Sequence, residues 1–370
     1  MQCMTTNFIT PTDGYAATYP QARQRWLAAV SRHSARIDSR LHPNAHGPDG
    51  GQLYMDVACI GDPAAQHAFV ITCGTHGIEG YAGSAVLTAW LESDAILLPS
   101  DCKLVLIHAV NPWGFAHGQR VTEENVDLNR NFINFATPLP SDRGYSDLHP
   151  ALMLERWDEP SFAHAFEAMD SFRQRHGEKA FSDAFNGGQY THPDGLFFGG
   201  HREQWSNTNL REVLEQHVKP ATRIDLLDIH TGIGPYGQPF FINFDPTESR
   251  QRIRLTQLWG EEAMRGTGST HAAFATYQGV MLDAVTATLP GSFIAGVVVE
   301  FGTHPRPRMQ RALLTQAWLS RQLGNSNSDT IAARAELAEA YAPSDPQWRS
   351  SVLHHGVNLC RRGLSGLLAT

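Results

Sequence analysis

Short apolar runs alternate with amphipathic segments over most of the chain. Six runs, each bounded by polar residues, glycine or proline, predict strands at residues 53–60, 67–73, 103–110, 223–230, 239–244 and 293–301. Apolar residues at helical spacing predict helices at residues 19–38, 80–98, 160–176 and 248–265, and the chain from residue 308 onward is mostly helical in character. Apolar strands interleaved with such helices are typical of an α/β fold. We therefore predict a mixed, mostly parallel, twisted sheet with helices on both faces.

The same pattern predicts three segments of one globule. Residues 1–50 would form an N-terminal extension packed on the core, residues 51–325 the main domain, and residues 326–370 a C-terminal helical segment. The sequence contains no internal repeat and no low-complexity stretch, so a repeat architecture is excluded.

Composition narrows the possible functions. The 370 residues include 29 Lys and Arg against 37 Asp and Glu, a formal net charge of −8. This balance argues against nucleic-acid and membrane-surface binding, because such proteins need a basic patch to release phosphate counterions. No secretory leader and no apolar run of membrane-spanning length is visible, so we expect a soluble cytoplasmic protein. The five cysteines are scattered without a C-x-x-C pair, which favours neither a disulfide framework nor a thiolate metal site.

Candidate chemistry lies just after the predicted strands, where open α/β sheets bind their ligands. His76 and Glu79 follow the second strand within a glycine-rich turn and form an H-x-x-E pair that could chelate one cation. His164 and Glu167 form a second H-x-x-E pair. Because that pair falls in a predicted helix away from a strand end, we interpret it as a surface or packing feature.

Two further candidates end later strands. His230 ends the fourth predicted strand, where it is either a third metal ligand or a residue that merely caps the strand. Two His and one Glu would leave a fourth position for water, the arrangement of a catalytic zinc. Glu300 ends the last strand, and a carboxylate after so apolar a run needs a metal, a proton or a partner. It is either a general base or one half of a buried ion pair with an arginine.

A polar block between these strands adds possible binding groups. Arg130 offers a planar fork suited to a carboxylate, and Asn129 a second donor. Asp127 could accept a hydrogen bond from the free ring nitrogen of a metal-bound histidine. Upstream, Arg120 is a candidate for stabilising a developing oxyanion. Each of these residues alone could be an ordinary loop residue, but together they form a coherent set.

The order of these motifs, with an Asn-Pro-x-Gly-Phe block at residues 111–115 between them, resembles the zinc carboxypeptidase superfamily. That superfamily includes succinylglutamate desuccinylase and aspartoacylase-like deacylases. The match spans residues 53–306, and Gly-Thr-His-Gly-x-Glu-Gly at residues 74–80 places the chain closest to a poorly characterised bacterial branch. The resemblance implies a zinc-carboxypeptidase-like fold with residues 51–325 as the catalytic domain.

The resemblance also implies one zinc ion per chain, held by His76, Glu79 and His230. It implies that Glu300 acts as general base and acid on zinc-bound water, and that Arg120 polarises the scissile carbonyl. These roles belong to the family and are carried over to the matching positions of this chain.

Further implied roles concern the substrate. Asn129 and Arg130 would grip a terminal carboxylate, and Asp127 falls where the family keeps a carboxylate behind the first zinc histidine. The family's mobile tyrosine, which closes over the substrate, has no flanking motif here, and Tyr277 and Tyr236 are both candidates.

The leading hypothesis is a zinc-dependent hydrolase that cleaves an amide bond next to a free carboxylate, most simply a metallocarboxypeptidase. An N-acyl amino acid deacylase on the same scaffold is the alternative, because 150 residues separate Glu79 from His230 and an insertion there could restrict the pocket to small substrates. A non-catalytic binding protein is a remote alternative. The substrate would be a peptide or N-acyl amino acid with a free carboxylate.

Other hydrolase classes are excluded by missing motifs. The chain contains no G-x-S-x-G followed by a histidine, no H-E-x-x-H and no G-x-x-x-x-G-K. The sequence leaves the oligomeric state open. A second metal also stays open, given spare histidines at His108, His117 and His304.

Overall fold

The structure is a computed structural model that describes residues 14–264 and 274–368. Residues 1–13 of the predicted extension and Arg265 of a predicted helix lie outside the described residues. The described part contains a seven-stranded sheet. In chain order its strands are β1 (Arg36–His46), β2 (Gln52–Gly61), β3 (His67–Cys73), β4 (Cys102–His108), β5 (Arg223–Gly232), β6 (Pro239–Ile242) and β7 (Phe293–Gly302).

The strand order across the sheet is β1-β2-β4-β3-β5-β7-β6. The four strands β4, β3, β5 and β7 run parallel, whereas β2 is antiparallel to β4, β1 to β2, and β6 to β7. The prediction of a mixed sheet with a parallel centre is confirmed. Because the carboxyl ends of parallel strands meet at one edge, the residues that follow β3, β5 and β7 lie close together.

Helices cover both faces of the sheet, as predicted. The helices are α1 (Tyr19–Val30), α2 (Gly80–Ser93), α3 (Pro112–His117), α4 (Tyr145–Leu152), α5 (Glu159–His176), α6 (Glu178–Asn186), α7 (Trp205–Val213), α8 (Arg250–Trp259), α9 (Met281–Thr288), α10 (Arg306–Ser320), α11 (Ser328–Tyr341) and α12 (Pro346–Leu368). Successive side chains of β3 point to opposite faces of the sheet, so the core has two parts. Phe69 and Ile71 pack with α1, α2, α8 and α12 on one face. Ala68 and Val70 pack with α7 and α9 on the other face. A separate apolar cluster joins α4, α5, α6, α10 and α11.

The local sequence predicted the limits of some helices better than those of others. The helix predicted over residues 160–176 is α5, which begins where the Asp158 side chain accepts a hydrogen bond from Ser161 N–H at 3.0 Å and a proline occupies the first turn. The helix predicted over residues 19–38 is wrong beyond Val30, because residues from Arg36 onward pair with β2 as an edge strand. Pairing with a distant strand overrides helical propensity there.

The two ends of the described chain contact the central sheet and its helices. β1 extends the sheet through β2, and in α12 a Cβ on Gly363 would lie 2.1 Å from Cζ of Phe69 in β3. The division into three segments stays a prediction. No helix of the described residues is long and apolar enough to cross a membrane.

Candidate metal centre and its cavity

The turn after β3 places His76 and Glu79 in the interior, with exposed fractions of 4% and 1%. The turn opens at Gly74, whose φ of 70° is a left-handed conformation that favours glycine. Gly77 then packs so closely on α3 that a Cβ there would lie 2.1 Å from the carbonyl carbon of Gly114. The glycine-rich sequence is therefore what allows the turn to bury these two side chains.

Three side chains of metal-ligand type converge at this edge of the sheet. Nδ1 of His76 lies 3.1 Å from Oε1 of Glu79 and 3.1 Å from Nδ1 of His230. Nδ1 of His230 lies 2.8 Å from Oε2 of Glu79. The three residues are all buried and form a group that could hold one metal ion. The structure thus brings together the three predicted ligands, although 150 residues separate the second from the third.

The donor set and its spacing fit zinc. Two ligand atoms at about 2.1 Å from a tetrahedral ion lie about 3.4 Å apart, close to the separations of 2.8–3.1 Å between these atoms. Two imidazole nitrogens and one carboxylate are donors that zinc prefers. The Nδ1 atoms of the two histidines lie 3.1 Å apart, and a cation bound by both would take the place of a proton between them.

A buried carboxylate lies behind each histidine. Nε2 of His76 lies 3.2 Å from Oδ1 of Asp127, and Nε2 of His230 lies 2.6 Å from Oδ2 of Asp228. A metal-ligating imidazole commonly donates its other ring N–H to such an acceptor, which sets the tautomer. Asp127 lies where the resemblance implied. Asp228 was missed, although the Asp-x-His spacing within a strand was a usable signal, since alternate residues share a face.

The ionised form of these carboxylates is favoured. Burial alone would raise the pKa of Asp127, but Arg120, His76 and Arg130 together outweigh it and hold this pKa well below the ordinary 3.8. Burial likewise opposes ionisation of Glu79, but the two histidines keep its pKa below 4.5. Burial would lower the pKa of His230, whereas Asp228 raises it well above 6.5. Carboxylates that stay ionised are what cation binding requires, and a bound cation takes the place of the histidine proton.

The Arg120 guanidinium lies against the same groups. Its Nη1 donates to Oε1 of Glu79 at 3.0 Å, and its Nε and Nη2 donate to Oδ2 of Asp127 at 3.2 and 3.1 Å. Nη2 also lies 2.7 Å from Nε2 of His76. An imidazole that ligates through Nδ1 keeps its proton on Nε2 and donates to Asp127, so Arg120 then loses this acceptor. One guanidinium N–H becomes available at the cavity.

Glu300 lies beside His230 because the two residues are paired in the β5–β7 register. Within the described residues, its carboxylate accepts a hydrogen bond from Ile233 N–H at 3.3 Å and is not part of an ion pair. Burial and the nearby Glu79 carboxylate raise the pKa of Glu300 to about 7. A cation held by the three ligand side chains would lower this value. The buried ion pair with an arginine is therefore absent among the described residues, and the general-base role stays a prediction.

Arg130 is a buried cation that contacts no carboxylate among the described residues. Its Nη1 donates to the Asn129 carbonyl and its Nη2 to the Asn186 carbonyl, both at 2.7 Å, while Nε has no partner in the described part of the chain. The guanidinium lies 4.7 Å from the ring centre of Tyr277. Asn129 accepts a hydrogen bond from Met281 N–H at 3.0 Å. Arg130 therefore retains donor capacity, and it forms no direct ion pair with any described residue.

A cavity of about 720 Å³ connects these groups. His76, Arg120, Asn129, Arg130, His230 and Glu300 line it. Its other walls include apolar side chains from β5, β6, β7 and α9: Leu226, Ile242, Met281, Leu282, Val297 and Val298. Of the two candidate tyrosines, Tyr277 lines the cavity, whereas Tyr236 is 44% exposed and donates to Asp345 Oδ2 at 2.9 Å.

A second group of ligand-type side chains consists of His149, His192 and Asp194. The two imidazole rings stack with centroids 3.9 Å apart and an interplanar angle of 22°. Lone pairs in nearly parallel planes do not point at one ion, so this group does not resemble a built metal site. Three histidines were considered for a second metal: His108, His117 and His304. Within the described residues, no such group includes any of them.

Comparison with known proteins places the chain in a family. The family described as "Protein of unknown function (DUF2817)" matches residues 15–355. The chain belongs to this family. No curated protein matches the sequence.

Solved structures similar to this member of the DUF2817 family include carboxypeptidase A of Helicoverpa armigera (11% identity, 92% of this chain and 77% of that chain, TM-score 0.45). They also include bovine thrombin-activatable fibrinolysis inhibitor (12%, 93% and 98%, TM-score 0.42). A third is assigned as a succinylglutamate desuccinylase/aspartoacylase of Shewanella frigidimarina (15%, 83% and 70%, TM-score 0.35). These proteins include the kinds that the sequence resemblance named, but TM-scores this low carry no argument about activity or substrate.

Proposed function

We propose that this protein is a zinc-dependent hydrolase that cleaves an amide bond next to a free carboxylate, most simply a metallocarboxypeptidase. One observation carries the proposal: the same cavity is lined by two of the three candidate zinc ligands, by a carboxylate that forms no ion pair among the described residues, and by a buried arginine that contacts no carboxylate there. A structural ion-pair network would neutralise its own charges. In this site, instead, the cation Arg130 and the carboxylate of Glu300 remain for contacts with other molecules.

His76, Glu79 and His230 would hold the zinc ion through two Nδ1 atoms and a carboxylate oxygen. In such a site zinc lowers the pKa of a bound water to roughly 7 and polarises a carbonyl group. Asp127 and Asp228 hold the two imidazoles with the proton on Nε2, so that Nδ1 stays available.

Glu300 is the proton carrier in this proposal. Its carboxylate lies at the end of β7 next to the ligand His230, with one hydrogen bond from Ile233 N–H and further acceptor capacity. It takes a proton from the attacking water and passes it to the amine that leaves. Arg120 stands at the other side of the ligands and donates to the oxygen on which negative charge develops.

Arg130 binds the substrate carboxylate. One N–H of Nη1 and one of Nη2 hold backbone carbonyls and so orient the guanidinium, while the second N–H of each nitrogen can donate to a ligand. Its charge, uncompensated by any direct contact in the described chain, favours an anionic ligand. The apolar wall of the cavity favours an apolar side chain next to that carboxylate.

The first experiment measures metal content and hydrolysis together. We expect about one zinc per chain in the purified protein, and loss of that zinc in His76→Ala. His164→Ala is the matched control, since it belongs to the other H-x-x-E pair on α5, where both residues are exposed, and should retain zinc. Blocked dipeptides with a C-terminal phenylalanine should release the free amino acid. Release from N-acetylphenylalanine only would favour the deacylase. Absence of zinc after reconstitution would contradict the proposal and favour the binding protein.

A further inference from the structure

The C-terminal part of the chain contributes a tyrosine to the candidate active site. Tyr341 is the last residue of α11, and its side chain lines the same cavity as Arg120 and Glu300. The residue is 3% exposed and belongs to the apolar cluster of α10 and α11. Nothing in the motif order between residues 53 and 306 pointed to a contribution from this segment.

The backbone of Tyr341 is hydrogen-bonded to β5, the strand that carries His230. The hydroxyl of Thr231, the residue after His230, donates to the Tyr341 carbonyl at 2.6 Å. The Thr231 N–H also donates to Oε2 of Glu79 at 3.2 Å. One residue therefore connects the end of α11 to two of the candidate zinc ligands, and the position of the tyrosine is coupled to theirs.

Gly232 leaves room for the ring beside the general base. A Cβ on Gly232 would lie 3.5 Å from Oε2 of Glu300 and 4.0 Å from Cε1 of Tyr341. The edge of the Tyr341 ring and the Glu300 carboxylate therefore both lie next to the backbone of Gly232. A side chain at this position would separate them, so the glycine keeps both groups at the cavity.

The Tyr341 hydroxyl has no hydrogen-bond partner among the residues that the structure describes. Two other buried tyrosines have a partner: the Tyr190 hydroxyl donates to the Arg130 carbonyl, and the Tyr19 hydroxyl donates to the Tyr54 carbonyl at 3.0 Å. A bound molecule in the cavity can supply the missing acceptor.

The charges around this hydroxyl favour a donor role. Burial raises the pKa of Tyr341, and among the neighbouring charges Arg120 opposes the rise while Glu79, Glu300 and Asp127 add to it. The phenol therefore stays protonated. Arg120 lines the same cavity as this phenol.

We propose that the Tyr341 hydroxyl donates a hydrogen bond to the substrate oxygen that becomes negatively charged during attack, together with Arg120. This inference rests on the proposed hydrolase function and adds one group to it. A phenol and a guanidinium that line one cavity can both donate to one acceptor, and the Tyr341 ring is packed in its apolar cluster before substrate arrives.

The test compares Tyr341→Phe, which removes one oxygen atom, with Tyr15→Phe. Tyr15 is also fully buried with an unpartnered hydroxyl in the described chain, but it packs on Trp348 and does not line the cavity. We expect Tyr341→Phe to lower kcat on a blocked glycyl-phenylalanine by on the order of 100-fold, with KM within about twofold and zinc content unchanged. Tyr15→Phe should leave all three unchanged.

A binding measurement on the zinc-loaded protein gives a readout besides activity. A blocked phosphonamidate dipeptide with C-terminal phenylalanine presents a tetrahedral anion, whereas free phenylalanine presents only the carboxylate. By calorimetry, Tyr341→Phe should bind the phosphonamidate about 10- to 100-fold more weakly and free phenylalanine with unchanged Kd. Equal loss for both ligands, or no loss for either, would show a packing role and overturn the inference. Absence of hydrolysis and of phosphonamidate binding in the wild type would instead overturn the proposed function, and this inference with it.

Discussion

Replacing Asp228 with asparagine should weaken zinc binding without dismantling the site. Oδ2 of Asp228 accepts from Nε2 of His230 at 2.6 Å, and Oδ1 accepts from the hydroxyls of Thr72 and Thr75 at 2.6 and 3.1 Å. Asparagine has the same shape and can keep the contact with His230 through its amide oxygen. Its NH2 group can donate to the threonine hydroxyls, which rotate to accept. The substitution therefore removes a negative charge and little else.

The expected magnitude follows from that lost charge. Carboxylates that hold a metal-ligating histidine contribute about 10- to 100-fold to metal affinity. This range corresponds to about 1.4–2.7 kcal/mol. We expect the upper half of the range for Asp228, because its contact with the histidine is short and the carboxylate is fully buried, so solvent does not screen its charge.

The assay is competition for zinc with a chromophoric chelator at neutral pH. Asp225→Asn provides the matched control, since Asp225 is on the same strand, is equally buried and has its carboxylate held by Arg254. Residues 225 and 228 are an odd number of positions apart, so their side chains point to opposite faces of the sheet. Asp225→Asn should lower stability while leaving the Kd for zinc unchanged.

Two outcomes would refute this reasoning. Zinc affinity equal to that of the wild type in Asp228→Asn would show that the carboxylate does not support His230 as a ligand. Equal loss in both variants would show that affinity follows global stability rather than the contact with the histidine. Thermal unfolding of both variants without metal, measured in parallel, separates these two explanations.

Three further changes have defined outcomes. Glu300→Gln should keep stoichiometric zinc by elemental analysis but lose at least about 100-fold in kcat, and an active variant would remove the general-base role. Burial lowers the pKa of His108 from 6.5 to about 4, so the unfolded chain binds a proton there that the folded chain does not. The free energy of unfolding should therefore fall by up to about 3 kcal/mol from this residue as the pH drops from 6.5 to 4. In urea titrations at several pH values, His108→Gln should show a smaller fall, and an unchanged pH dependence would contradict the assignment. Gly363→Ala would place a methyl group 2.1 Å from Cζ of Phe69 and should cost about 1–3 kcal/mol, seen as a lower Tm, whereas Gly291→Ala, with open space around it, should not.

Several features of this protein were predictable from the chain alone, because they depend on local chemistry. Short runs of apolar residues identified the parallel strands, since a strand buried on both faces is apolar along its whole length. The start of α5 was readable from Asp158 and the proline that follows it. The H-x-x-E pair in a glycine-rich turn identified His76 and Glu79, because close packing there tolerates no side chain at Gly77.

Other features follow only from contacts between distant residues. Arg36–His46 forms an edge strand rather than the end of a helix, because its partner strand β2 supplies the backbone hydrogen bonds. His230 and Glu300 lie side by side because of the register between β5 and β7, which no local pattern specifies. The same register places Glu300 beside a candidate zinc ligand, and this position bears on whether Glu300 is a general base or one half of an ion pair.

The difference between the two groups of features has one physical cause. A strand, a cap or a chelating pair is determined by residues within one or two turns of chain, and the sequence shows those directly. The chemical role of a buried polar group depends on what faces it, and for Asp228 and Tyr341 the facing groups come from strands and helices far away in the chain. Tertiary packing therefore decided which carboxylate supports His230, which buried arginine contacts no carboxylate in the described part of the chain, and which tyrosine from the C-terminal helices borders the cavity.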